Sequence, residues 1–370
     1  MKKFMIIAAS AALVLSAACT KTEVTRSLND DEPIIGFSNY APRSLSKANS
    51  TLVNDGALPT GAKIGVFGYS TGSTKFAATE NPTFMDETFY VDYGSNTGAT
   101  ATTTNVVRYW PKTVTNLLSF YGYYPYGDET ITATPTKSTA GLGTFTFAQK
   151  AAVADMVDFE VSNVANDYWY SSTETNPDAQ TSKATDGVVP LTFNHMLTKV
   201  NFKFKTDIDY SANDTEIKVT SVTLANVRAQ GTLHLSYAAP VAPAKLGITS
   251  FAWDGQTSAV ASTVVPINAS GLVLDTTAAL NESGSDKIDF LFVPQTLGDD
   301  ITITINYDVT QGTSDVTSNV ATVKLNSVSP TAWNINDFVT YTFILGLKPI
   351  KFTATTATWT AVAAGDIEIN

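Results

Sequence analysis

Residues 200–205 have the sequence Val-Asn-Phe-Lys-Phe-Lys, and residues 301–305 have the sequence Ile-Thr-Ile-Thr-Ile. In both stretches apolar and polar side chains alternate at every position, which is typical of a β-strand with one buried face and one solvated face. Similar runs occur at 63–69, 189–205, 217–225, 288–293, 320–325 and 338–347, separated by turn-forming clusters such as Asn54-Asp55-Gly56. The sequence contains no long stretch with a helical period, so the pattern predicts an all-β protein.

The length of the chain indicates more than one domain. At 370 residues it exceeds the size at which a single hydrophobic core keeps growing, which predicts about two domains. The most polar interruption lies at 171–187, where Ser, Thr, Asp and Asn dominate. We place the domain boundary at its end, which predicts an N-terminal β-sandwich over 33–187 and a C-terminal β-sandwich over 188–370.

The first 18 residues have the pattern of a secretory signal peptide. Lys2 and Lys3 precede an apolar run at 4–15 and three small residues at 16–18, and this run is too short for a spanning helix. Cys19 follows, at the position where a bacterial lipoprotein signal places the residue that is acylated. Ser16 departs from that signal, which usually has Leu there, and an incidental cysteine is the alternative. We predict lipidation at Cys19 and a flexible lipidated tether over 19–32.

Composition excludes several classes of function. The formal net charge is −11 and only 15% of residues are charged, so the surface would repel a phosphate backbone and no nucleic-acid partner is expected. Cys19 is the single cysteine, which excludes intrachain disulfides and thiolate metal clusters.

Residues suited to catalysis are scarce. The two histidines, His195 and His234, both lie in apolar surroundings on predicted strands, and each is interpreted as a structural histidine bonded to backbone at a sheet edge or domain seam. The acidic cluster at 155–160 could supply a glycosidase pair, but we prefer a solvated strand face. Asp299-Asp300 and residues 286–289 lack the spacing of a calcium loop and are interpreted as turns. The sequence therefore predicts no catalytic residue, cofactor or metal, and a protein that is not an enzyme.

Aromatic residues concentrate at 109–111, 120–126 and 168–170. Aromatic side chains at alternating strand positions fill sandwich cores, which accounts for most of them. If Tyr168, Trp169 and Tyr170 are exposed, they would form a platform on which sugar rings stack. This leaves an alternative function open, that of a surface lipoprotein that binds glycans.

Several of these features occur together in one known family. The features are the lipoprotein start, residues 34–38 and 63–69, the aromatic segments 109–111 and 120–125, residues 191–200 and 292–295, and finally Trp333, Tyr341 and Trp359. In this order they resemble the fimbrillin family of Bacteroidetes, the Mfa-like and FimA-like subunits of type V pili. The resemblance covers nearly the whole mature chain.

The resemblance implies two transthyretin-like β-sandwich domains in tandem and an outer-membrane lipoprotein precursor that assembles into a fimbria at the cell surface. In the family, a protease cuts after an Arg or Lys just beyond the first strand, and a C-terminal strand of the next subunit fills the groove that opens. Here the first strand would be 34–40 and the cut would follow Arg43, with Arg26 and Lys47 as competing sites.

The implied partners are other pilus subunits, bound by strand exchange, and a host or bacterial surface ligand. The donor strand would lie near the C-terminus, where Ile350, Phe352 and Ala354 alternate with polar residues, or at 365–369. The alternative is that these strands only close the second sandwich. The sequence leaves the stalk, tip and anchor roles open.

Overall fold

A computed structural model describes residues 35–40, 58, 63–70, 85–92, 100–103, 109–110, 117–138, 141–150, 155–169, 182–184, 187–236, 250–257, 262–265, 267, 270–277, 290–347 and 351–358. In these ranges the chain forms 24 strands and two short 3-10 helices, Ser211–Asn213 and Leu325–Ser327. The all-β prediction is therefore confirmed. No helix in the described ranges is long and apolar enough to span a membrane.

The strands have the following bounds: β1 Gly36–Tyr40, β2 Lys63–Ser70, β3 Met85–Asp92, β4 Thr100–Thr103, β5 Leu118–Tyr124, β6 Ile131–Ser138, β7 Gly141–Ala148, β8 Glu160–Ser162, β9 Ala165–Trp169, β10 Ser182–Lys183, β11 Val188–His195, β12 Thr198–Thr206, β13 Thr215–Ala225, β14 Gln230–Ser236, β15 Ser250–Thr257, β16 Ser262–Val265, β17 Leu272–Val273, β18 Phe290–Phe292, β19 Gln295–Thr296, β20 Thr302–Gln311, β21 Asp315–Lys324, β22 Ala332–Trp333, β23 Asp337–Leu345 and β24 Lys351–Thr358.

The largest sheet has nine strands in the order β10-β9-β5-β2-β3-β4-β1-β11-β8. Strand β8 also pairs with β5, so the path β5-β2-β3-β4-β1-β11-β8 returns to its first strand. This closed ring of strands encloses a set of buried apolar residues, here called the inner core, to which β1, β2, β5 and β11 contribute.

The remaining strands form four smaller sheets. Their orders are β18-β12-β23-β24, β16-β13-β20-β21 with β17 on β13, β15-β14-β7-β6, and β19-β22. A second and larger set of buried apolar residues, here called the main core, joins residues of these sheets to the outer side of the ring. On β5, for example, Leu118 and Phe120 belong to the inner core while Tyr121 and Tyr123 belong to the main core, because successive side chains of a strand point to opposite faces.

The apolar run at 189–205 forms two strands in different sheets. β11 ends at His195 in the nine-stranded sheet, and β12 begins at Thr198 beside β23. Met196 and Leu197, between them, are fully buried in the main core. The chain therefore passes from one sheet to another without reaching the surface.

The boundary that we place at Gly187 lies within the nine-stranded sheet, because β11 follows it and pairs with β1. The sheet β15-β14-β7-β6 also takes two strands from each side of that boundary. The division into tandem sandwiches at 33–187 and 188–370 remains a prediction.

Candidate functional site

Strand β1 occupies a slot between β4 and β11. It runs parallel to β11 over five residue pairs, from Gly36 beside Val188 to Tyr40 beside Thr192. On its other edge it pairs antiparallel with β4. Both edges of β1 are therefore hydrogen-bonded, and β1 joins β4 to β11 in the closed ring.

The side chains of β1 fill the inner core. Ile35, just before the strand, and Phe37 are 1% and 0% exposed. The ring of Phe37 packs edge-on against Phe120 with ring centroids 5.2 Å apart, and Trp110 also contacts Phe120 edge-on. The first strand is thus a buried, central part of the sheet.

The start of β1 is fixed by a shared acceptor. The carbonyl oxygen of Gly187 accepts a hydrogen bond from the backbone N–H of Gly36 at 3.0 Å and another from the indole N–H of Trp110 at 2.9 Å. Removal of β1 would leave unpaired backbone groups on β4 and β11 and an apolar channel above Phe120. An extended peptide is the element that can satisfy both.

A second group of side chains lies at one end of the ring. Asp158, Glu160 and His195 are 4%, 0% and 3% exposed, and Nδ1 of His195 lies 3.1 Å from Asp158 Oδ1 and 4.0 Å from Glu160 Oε1. Glu160 and His195 are paired residues of β8 and β11. We call this group the carboxylate–histidine cluster.

Burial governs the electrostatics of this cluster. It raises the pKa of Glu160 to about 8, with positive charge on His195 opposing the rise and Asp158 adding to it. For His195 burial lowers the pKa, but the two carboxylates outweigh it and the net pKa is raised. Burial, then the charges of Asp158 and Glu160, also raise the pKa of Tyr124, which pairs with Glu160 on β5.

A sequence model described as fimbrillin-like matches residues 51–359. The chain belongs to the fimbrillin-like family. Family membership makes it a fimbrial subunit of the cell surface, associated with other pilus subunits, and not an enzyme.

The chain is also similar to several solved structures. It is similar to a fimbrial protein from Bacteroides vulgatus at 20% identity, over 89% of this chain and 100% of that chain, with a TM-score of 0.51, which supports the fold. It is also similar to a candidate cell adhesion protein from Bacteroides uniformis (14% identity, 88% and 98% coverage, TM-score 0.46). A third similar structure is the fimbrial anchor protein Mfa2 from Porphyromonas gingivalis (10%, 85% and 90%, 0.31). None of the curated proteins compared with this chain matches it.

The predicted processing residues of this fimbrillin lie outside the described ranges. These are Cys19, Arg26, Arg43 and Lys47, together with the signal peptide at 1–18 and the tether at 19–32. Of the predicted first strand, residues 36–40 form β1, which ends three residues before Arg43. Lipidation and cleavage stay predictions.

At the C-terminal end, β24 pairs antiparallel with β23 along its whole length, from Lys351 beside Ile344 to Thr358 beside Asp337. In this structure the predicted donor segment therefore extends the β12-β23 sheet of its own subunit, as in the alternative interpretation. β24 is the last strand of that sheet. Residues 365–369 lie outside the described ranges.

The alternative of an exposed aromatic platform at 168–170 is contradicted at the two residues that the structure describes. Trp169 is 1% exposed and Tyr168 is half-buried against the inner core, while Tyr170 is not described. The ammonium of Lys183 lies 5.3 Å from the centre of the Trp169 ring. Both aromatic rings serve packing because β9 lies against β5 in the nine-stranded sheet.

The solvated face predicted at 155–160 is also wrong, since only Asp155 is exposed while Asp158 and Glu160 are buried. Nδ1 of His195 lies 3.1 Å from Oδ1 of Asp158. A signal for this site was present in the sequence. Val189, Leu191, Phe193 and His195 alternate along β11, so His195 shares the inner-core face of three buried apolar residues.

The other polar candidates lie at the surface. Nε2 of His234 lies 2.9 Å from an oxygen of Asp254, and both side chains are substantially exposed. Asp299 pairs with Lys324, and Asp300 pairs with Arg228. These two aspartates therefore hold a surface turn in place, as the spacing predicts.

Proposed function

We propose that this fimbrillin is a polymerising, adhesive subunit of a type V pilus. In this proposal proteolysis removes β1, and a strand from a neighbouring subunit replaces it. The observation that carries the proposal is the position of β1, which fills an apolar slot between β4 and β11 with Ile35 and Phe37 buried beneath it.

The energetics favour replacement of the strand over an empty slot. Burying an Ile or a Phe side chain stabilises a fold by about 1.5–3 kcal/mol each. An emptied slot would lose this contribution from Ile35 and Phe37 and would expose Phe120 to water. It would also leave the facing edges of β4 and β11 with unpaired N–H and C=O groups, which carry a penalty of about 1–3 kcal/mol for each one that stays dry. Together these terms favour the binding of a donor strand.

The sequence on either side of β1 suits a single processing event. Cys19 precedes β1, and Arg43 follows it in the segment Ala41-Pro42-Arg43-Ser44. A cut after Arg43 would release the lipid and the strand together, whereas a cut after Arg26 would leave the strand in place. The subunit would thus leave its outer-membrane anchor at the moment its slot opens.

The donor is assigned to the C-terminal segment that contains β24. This strand is hydrogen-bonded to β23 alone among the described strands, so its detachment breaks one ladder. In the sequence Phe352 and Ala354 alternate with Lys351 and Thr353, the pattern of a strand with one apolar face, which an occupant of the inner core requires.

The test combines mass spectrometry of the N-terminus with gel analysis of polymers, before and after treatment with an Arg-specific protease. Wild type is expected to begin at Ser44 and to form ladders of higher mass. Arg43→Ala is expected to remain acylated at Cys19 and monomeric, while the matched variant Arg26→Ala behaves as wild type. Polymers formed by Arg43→Ala without loss of β1, or a monomer that persists after cleavage at Arg43, would refute strand exchange.

A further inference from the structure

The carboxylate–histidine cluster has the residue types of a metal site. One ligand atom from each of Asp158, Glu160 and His195 can be chosen so that all three lie within 4.8 Å of one another, and all three residues are buried. Carboxylate oxygen and imidazole nitrogen are ordinary ligands of zinc and related divalent ions. No thiolate is required.

A second observation is the lack of hydrogen-bond donors to Glu160 in the described part of the chain. Both carboxylate oxygens of Glu160 are buried without a hydrogen-bond partner among the described residues, whereas Oδ2 of Asp158 lies 3.1 Å from Nδ1 of His195. A buried carboxylate without a hydrogen-bond donor is strongly unfavourable, and proteins generally resolve it by protonation, pairing or metal coordination. Oε1 of Glu160 lies 4.0 Å from Nδ1 of His195.

We propose that the carboxylate–histidine cluster binds one divalent cation of the zinc type, with Asp158, Glu160 and Nδ1 of His195 as its ligands. This site is independent of the proposed strand exchange. It lies where β8 meets both β11 and β5, since Glu160 pairs with His195 on one side and with Tyr124 on the other.

The spacing of the ligand atoms fits a small ion. Two ligands held about 2.1 Å from a tetrahedral ion lie about 3.4 Å from each other. The separations of Nδ1 from Asp158 and Glu160, 3.1 and 4.0 Å, lie on either side of that value. Calcium prefers six to eight oxygen ligands and magnesium keeps several waters, which a buried cluster with one nitrogen does not offer.

Charge also favours a cation. Two ionised carboxylates and a neutral imidazole carry a charge of −2, so the site stays negative and attracts a cation even with the ammonium of Lys199 nearby. Lys199, whose ammonium lies over the Phe338 ring at 4.9 Å, and Tyr124 are the other titratable groups that interact with the cluster. Binding would release the protons that the cluster holds without metal.

The bound ion would have a structural role. It would connect β8 to β11 at the point where the ring of strands closes. The other edge of β11 pairs with β1. Because the cluster is buried, the ion would enter while the chain folds or when this end of the ring opens.

The experiment uses the full chain. The protein is unfolded in guanidinium with EDTA, and both reagents are then removed. It is refolded with Zn²⁺, or with Co²⁺ as a spectroscopic probe. After gel filtration we expect one zinc per chain, a melting temperature that rises with Zn²⁺ concentration, and the intense visible absorption of four-coordinate cobalt. Glu160→Gln keeps the shape of the side chain and is expected to weaken binding by about tenfold or more, as is His195→Gln.

The chain offers two matched controls. His234→Gln removes the other histidine, which pairs with Asp254 at the surface, and Cys19→Ser removes the only thiol. Both are expected to bind as wild type does. Loss of binding in either control, unchanged binding in Glu160→Gln, or no zinc in refolded wild type would overturn the proposal. If the cluster variants do not fold, the wild-type protein alone still tests the proposal. A weak cobalt spectrum typical of six-coordination in wild type would also overturn the proposal.

Discussion

Replacing Phe37 by alanine tests how much strand β1 contributes to the stability of the uncut protein. Phe37 is fully buried and packs edge-on against Phe120 at 5.2 Å. Phe→Ala changes at such positions destabilise proteins by about 3–5 kcal/mol, because transfer energy is lost and a cavity remains. An aromatic pair of this geometry adds about 0.5–1.5 kcal/mol beyond the buried area. We expect Phe37→Ala to lower the free energy of unfolding of the precursor by about 4 kcal/mol.

The assay is urea unfolding followed by tryptophan fluorescence, first on the precursor and then on protein that has been cut after Arg43 and separated from its N-terminal peptide. The loss caused by Phe37→Ala is expected to vanish in the cut protein, which no longer contains residue 37. Phe202→Ala is the matched control, because Phe202 is equally buried but lies on β12 in the main core. Its penalty is expected in both forms.

A loss below about 1 kcal/mol in the uncut Phe37→Ala protein would refute the reasoning. It would mean that β1 contributes little to the fold and that no slot needs a replacement strand. If Phe202→Ala lowered the free energy of unfolding equally in the cut and uncut proteins, while Phe37→Ala left that of the uncut protein unchanged, all of the stability would be assigned to the main core.

Gly65→Ala is expected to destabilise the fold by about 1–3 kcal/mol, because the added Cβ would overlap the Tyr123 ring that covers β2; thermal unfolding checks this, and an unchanged melting temperature would contradict it. Tyr341→Phe is expected to change the alkaline pH dependence of stability. Burial raises the pKa of Tyr341 to about 12, although a hydrogen bond from Trp333 lowers it in part. Because the folded pKa exceeds the unfolded value of about 10, this contribution is complete below pH 10 and falls by about 1.4 kcal/mol per pH unit as pH rises toward 12. Urea unfolding at pH 9 to 11 is expected to show that the free energy of unfolding depends less steeply on pH in Tyr341→Phe than in wild type, by about one proton. Equal slopes would contradict the assignment.

The sequence predicts the strands well where one face is buried and the other is solvated. On β20, Ile303 and Ile305 are fully buried and Thr304 between them is partly exposed, as the alternation indicates. The pattern fails where neighbours cover both faces. β8 has three consecutive buried residues, Glu160, Val161 and Ser162, so both of its faces are covered. Because no alternation marks this strand, nothing in the local sequence distinguishes the buried Glu160 from a solvated one.

The slot was predictable only in part. The apolar residues of the first strand and the basic residue beyond it are visible in the sequence, but the partners of β1 are not. β4 and β11 are remote from it along the chain, and local periodicity carries no information about which distant strands pair. The same limit applies to the carboxylate–histidine cluster, whose members come together only when β8 and β11 pair.

The parallel ladder between β1 and β11 also has a kinetic consequence. Gly36 and Val188 are about 150 residues apart in sequence, and contacts of such separation slow folding because a long loop must close first. If the chain is exported from its N-terminus, as the predicted signal peptide implies, β1 would cross the membrane well before β11 is available to receive it. Its insertion would then be a late event in folding, and a chaperone or a premature partner would compete for the same position before it.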